Sequence, residues 1–157
     1  MNLKLELLVL PVSDVERAKA FYEKAGFRLD VDAAPTSEWS AVHLTPPGSE
    51  ASIIFGKGLT SAEPGSTQGL YLIVTDIEEA RRELLERGVE VSEVFHDDKG
   101  VLFHNHARGT VNHDLPGQAR IAGRHPEGAS YASYASFSDP DGNGWVLQEI
   151  TERFPGR

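Results

Sequence analysis

The 157-residue chain carries 24 acidic against 15 basic side chains, and its formal net charge of −9 repels phosphate backbones and anionic lipid headgroups, so neither nucleic acid nor a membrane is an expected partner. It has no cysteine, which removes disulfides, thiolate catalysis and cysteine-ligated zinc or iron–sulfur sites. The length suits one domain over residues 1–157, burying roughly 68–70% of its unfolded surface.

The opening stretch MNLKLELLVLPVSD reads as a strand over Leu3–Val12. Lys4 and Glu6 interrupt its apolar residues and no small-residue cleavage site follows, so the expectation is a cytoplasmic protein. VSDVERAKAFYEKAGF predicts a helix: Val15, Ala18, Tyr22 and Ala25 recur at helical spacing, Ser13 and Glu16 have the spacing of a capping box, and Gly26 suits a left-handed end. Strands are expected next at Arg28–Val31, Trp39–Leu44 and Ala51–Phe55, with TPPGSE turning before the last.

The second half repeats this order. Gly69–Val74 reads as a strand, and VTDIEEARRELLERGV as a helix with Ile77, Ala80 and Leu84 inward, a capping box at Thr75 and Glu78, and Gly88 at its end. Further strands are predicted at Val89–Phe95, Tyr131–Phe137 and Trp145–Ile150, the last two joined by a tight hairpin over Asp139–Asn143. A shift of 62 residues takes Val12 to Val74, Asp14 to Asp76 and Gly26 to Gly88 without a gap. The chain is therefore an internal repeat of residues 1–60 and 68–152. Gly48 and Gly142 correspond at a shift of 94, so 32 extra residues fall between Phe95 and Tyr131, giving a long inserted loop over residues 97–130.

With VLPVSDVERAKAFYEKAGF opening one half, GLYLIVTDIEEARRELLERGV opening the other and FSDPDGNGWVLQEI closing it, the chain resembles the vicinal oxygen chelate superfamily of glyoxalases, bleomycin-resistance proteins and extradiol dioxygenases. The resemblance implies an α+β fold of two βαβββ modules, curved mixed sheets around a shared cavity, helices outside, and a homodimer. Metal-dependent members place a His five residues before the Val of the VSD motif and a Glu three residues after the Asn of DPDGN. Leu7, Gly69 and Val146 stand at those positions here, and none offers a nitrogen, oxygen or sulfur donor, so neither metal nor cofactor is expected. Glu6 and Glu149 are neighbours of such positions, but the period-two alternation of a strand turns them to the other side of the sheet.

The inserted loop holds or adjoins His96, His104, His106, His113 and His125. If Val101–Phe103 extends a strand, His104 and His106 share one face about 6.5–7 Å apart, and Asp97, Asp98 or Asp114 would complete a non-standard metal site. Without such a site, the pocket expected from alternate strand residues is lined by Leu7, Val9, Trp39, His43, Tyr71, Ile73, Phe103, Tyr131, Val146 and Gln148, mainly apolar with a few polar tips. That composition points to binding of a small organic molecule, aromatic for its stacking on rings or cationic for the negative net charge. The alternative is an enzyme of the lyase, isomerase or dioxygenase type, with His43, His104 or His106 exchanging protons and Arg108 or Tyr134 stabilising an oxyanion.

Overall fold

Two ten-residue helices, α1 (Val15–Lys24) and α2 (Ile77–Glu86), start and stop by the same chemistry. They are seen in a computed structural model that describes residues 1–97 and 120–155. The carboxylate of Asp14 accepts from the Arg17 amide, and that of Asp76 accepts from the amides of Glu78 and Glu79. The caps thus fall one residue after the Ser13 and Thr75 of the expected capping boxes, because an extended Asp reaches the unpaired first-turn amides directly. At the other ends Gly26 and Gly88 are left-handed, with φ of +98° and +77°. Their amides donate to Glu23 and Leu85, and the following amides of Phe27 and Val89 donate to Tyr22 and Leu84. The Phe27 ring then packs 5.2 Å from that of Tyr22, closing α1 with an apolar contact.

The chain divides into two compact units, Met1–Thr67 with Asp139–Asn143, and Gln68–Ser138 with Gly144–Arg157. In the first, β1 (Leu7–Val9), β2 (Arg28–Ala33), β3 (Ala41–Thr45) and β4 (Ser52–Phe55) make a sheet of order β1-β4-β3-β2, in which β1 runs parallel to β4 and the other pairs are antiparallel. β1 is shorter than the expected Leu3–Val12: Pro11 has no amide to offer a ladder, and Leu3 and Leu5 are exposed. Val42, Leu44, Ile53 and Phe55 are buried on the face that meets α1, where the Phe55 ring lies 5.7 Å from that of Tyr22.

The turn Asp139–Asn143 is part of this first unit and is bound into it by side chains. Asp139 Oδ1 accepts from the amides of Asp141, Gly142 and Asn143, while its Oδ2 accepts from the Tyr22 hydroxyl at 2.9 Å and Asn143 Nδ2 at 2.8 Å. Asn143 also donates to the Pro11 carbonyl and accepts from the Thr67 amide. Asp141 takes the Ser13 amide, the Ser13 hydroxyl and Arg17. Ser13, expected to cap α1, is therefore used to hold this turn.

In the second unit, β5 (Leu70–Val74), β6 (Phe95–Asp97), β7 (Arg120–Ala122), β8 (Ser133–Ser138) and β9 (Gly144–Glu149) form a sheet of order β5-β9-β8-β6-β7. β5 runs parallel to β9. Residues 89–94, expected as the body of a strand, are not one: the Ser92 amide donates to the Ser136 carbonyl, but the Ser92 carbonyl accepts from Arg81 Nε and the Ser136 amide donates to Ser92 Oγ, so a single backbone bond is not continued into a ladder and β6 starts only at Phe95. β7 pairs antiparallel with β6 inside the stretch expected to be all loop. Tyr131 is not the first residue of a strand either: its φ of +69° turns the chain, and β8 starts two residues later.

On the helix side of this sheet Glu149 is fully buried. Its carboxylate accepts from Arg124 Nε at 2.8 and 3.0 Å and from the Ile77 amide at the start of α2 at 3.0 Å. A buried carboxylate at a helix N-terminus meets both unpaired amides and the positive end of the helix dipole. No helix among the described residues is long and apolar enough to cross a membrane.

Candidate functional site

Register and alternation assign the faces. In the first unit Val9 pairs with Ile54, Ile54 with His43, and His43 with Val31, so these four side chains, with Leu7, lie on the face opposite α1. Val9 and Val31 are 40% and 43% exposed, and Leu7, Ile54 and His43 are half-buried. Trp39, just before β3, is 40% exposed. Polar groups sit among the apolar ones: the Thr45 and Ser52 hydroxyls bond each other at 2.7 Å, and Thr45 also donates to Asp30. The bonds from Arg28 and Thr45 hold the Asp30 carboxyl below its ordinary range. His43 Nε2 is buried and has no hydrogen-bond partner among the described residues.

In the second unit Tyr71 pairs with Val146, Ile73 with Gln148, and Gln148 with Tyr134, which puts these expected site residues on the face opposite α2. Ile73 is 44% exposed. Val146 and Tyr134 are buried, packed with Phe95 and against Tyr71 in one cluster. Gln148 Nε2 donates to the Tyr131 carbonyl at 3.0 Å, and the Tyr134 hydroxyl donates to the same carbonyl. Tyr131 brings its carbonyl to this group while its ring stacks on Phe154 at 4.2 Å. Burial pushes the Tyr71 phenol up to about 12, so it keeps its proton throughout the physiological range.

That shift has a measurable consequence. A folded-state pKa above the unfolded value of about 10 gives stability that is complete below pH 10 and is lost as pH rises through about 12. Absorbance at 295 nm should therefore show a late-titrating tyrosine that Tyr71→Phe removes. Loss instead of a component titrating near the ordinary value of about 10, with the late one retained, would place Tyr71 in open solvent.

Phe103, His104, His106, Arg108, Asp98, Asp114 and His113 lie outside the described residues. Of the remaining insertion histidines, His96 Nδ1 bonds the Gly123 carbonyl at 2.8 Å, and its ring meets that of His125 at 5.5 Å. Among the described residues no group of three or more His, Cys, Asp or Glu could hold a metal ion. Leu7 and Val146 are hydrocarbon, and Gly69 is a left-handed residue just before β5. These donor sets do not fit the metal of the metal-dependent relatives.

Sequence reasoning missed Val31 and Ile54, although their register partners were named. It also missed a cleft of about 480 Å³ on the helix side of the first unit, lined among others by Val12, Asp14, Glu16, Asp32, Ser40 and Lys57. None of the expected ligand-binding residues lines this cleft.

Two sheets of mixed strands, each carrying one helix, define a glyoxalase-like α+β fold. The family model of the Glyoxalase/Bleomycin resistance protein/Dioxygenase superfamily matches residues 4–102, and the chain belongs to that superfamily. Among solved structures it is similar to TnmS3, an antibiotic binding protein from Streptomyces sp. CB03234, with 29% identity, 95% of this chain and 97% of that one covered, and a TM-score of 0.64. A glyoxalase/bleomycin resistance protein from the same organism is 29% identical over 93% of this chain and 100% of its own, with a TM-score of 0.61. A superfamily member from Sphaerobacter thermophilus DSM 20745 is 26% identical over 94% and 98%, also with a TM-score of 0.61. No curated protein matches the chain.

Proposed function

We propose that this protein binds a small organic molecule, aromatic or cationic, on the apolar sheet faces opposite its helices, and that it does so without a metal. The observation that carries this reading is the row Val9, Ile54, His43, Val31: contiguous apolar side chains, two of them about 40% exposed, around one imidazole. An exposed apolar patch rimmed by polar groups is the usual form of a binding surface. The similarity to an antibiotic binding protein over nearly the whole chain supports the same class of ligand. Catalysis has weaker support, since the Tyr134 proton is committed to the Tyr131 carbonyl and is not available to an oxyanion.

A thermal-shift screen of aromatic and cationic compounds should raise Tm for at least one of them. Val9→Asp should weaken that compound at least tenfold, about 1.4 kcal/mol, because a carboxylate would have to be desolvated beneath it. Unchanged affinity would remove the β1 face from the site. Protein purified without chelators should contain no stoichiometric zinc, iron, manganese or nickel; one such ion per chain would contradict the metal-free reading.

A further inference from the structure

A buried nitrogen with nothing to bond is costly, and folded proteins rarely keep one without a reason. His43 Nε2 is such an atom: it is closed off, and nothing among the described residues bonds it. Its polar neighbours are engaged elsewhere, Thr45 with Ser52 and Asp30, and Asp30 with Arg28. Its register partners Val31 and Ile54 have only hydrocarbon side chains to offer. The imidazole therefore stands as one unmet polar group in an apolar floor.

We infer that His43 Nε2 is the polar anchor of the binding face and that the ligand is an aromatic molecule bearing a hydroxyl group. The apolar residues around His43 take the ring. A phenolic hydroxyl both donates and accepts, so it pairs with Nε2 in either tautomer of the imidazole, as an ether or a ketone does not. The inference rests on the binding reading above and assigns its specificity to one atom. It carries a second consequence in the ligand-free protein, where the unmet nitrogen lowers stability, so an apolar ring of similar shape should fit there better.

The test is equilibrium binding of two isosteric probes, 2-naphthol and 2-methylnaphthalene, to the wild type, His43→Phe and His43→Gln. The ratio of the two affinities should shift about tenfold against 2-naphthol in His43→Phe, with 2-methylnaphthalene held nearly as before. His43→Gln, whose amide can still donate or accept, should restore part of the ratio. Ligand-free His43→Phe should melt at or above the wild-type Tm. An unaltered ratio in His43→Phe, with the probes still binding, overturns the anchor and leaves the binding reading intact, whereas wild type that binds neither probe overturns both. A clear fall in Tm would show that Nε2 has a structural partner. Dissociation of a wild-type dimer by His43→Phe, seen by sedimentation, would make a second copy the occupant. Either result overturns the inference.

Discussion

Asp139→Ala is expected to destabilise the protein more than any other single change in the first unit, by about 3–5 kcal/mol, or roughly 10 °C in Tm. The carboxylate is 5% exposed and accepts from three successive backbone amides, the Tyr22 hydroxyl and the Asn143 amide. Truncation leaves those donors facing each other with water excluded. Asp139→Asn separates the roles of the two oxygens. It keeps an acceptor for the backbone amides but puts an NH2 group against two other donors, so about 1–2 kcal/mol should be lost. Urea denaturation of both variants checks the order, and an alanine variant within 1 kcal/mol of wild type, about the worth of one net hydrogen bond, would mean the turn is not a structural keystone.

Arg124→Met should be the most damaging conservative change in the second unit. Glu149 has no exposed surface, and among the described residues Arg124 is the cation bonded to it. Breaking a fully buried pair costs about 3–5 kcal/mol; because the Arg124 side chain is 43% exposed and partly screened, about 2–3 kcal/mol is expected. Arg124→Met combined with Glu149→Gln should recover much of that loss, since a neutral amide can still accept from Ile77 and leaves no buried charge. A double-mutant cycle by chemical denaturation gives the coupling directly. A value near zero would mean Glu149 is held by the helix start alone.

Much of the frame was legible because it is local. The left-handed glycines at positions 26 and 88 and the inward faces of both helices follow from spacing and backbone sterics within a few residues. What escaped depends on partners distant in sequence. Nothing near Asp139 announces that Tyr22 and Pro11 will meet its turn. The strand expected over Val89–Phe95 has the right composition, but past one backbone bond from Ser92 to Ser136 the return bonds go to the Arg81 and Ser92 side chains. Tyr131 alternates correctly for a strand, yet its positive φ turns the backbone so that the carbonyl, not the ring, joins Gln148 and Tyr134. The site residues fared similarly. Alternation put Leu7, Val9 and His43 on one face and Tyr71, Ile73, Val146 and Gln148 on another, but could not show that Val146 and Tyr134 would be buried.

An organic ligand is expected on the sheet face of Leu7, Val9, Val31 and Ile54. Methyl-resolved NMR with 2-naphthol tests it most directly, because the helix-side cleft of the same unit has its own methyls in Val12, Val15 and Val42. Shifts and intermolecular NOEs at Leu7, Val9, Val31 and Ile54 are the predicted result. Shifts confined to Val12, Val15 and Val42 would put the ligand on the wrong side of the sheet and contradict it.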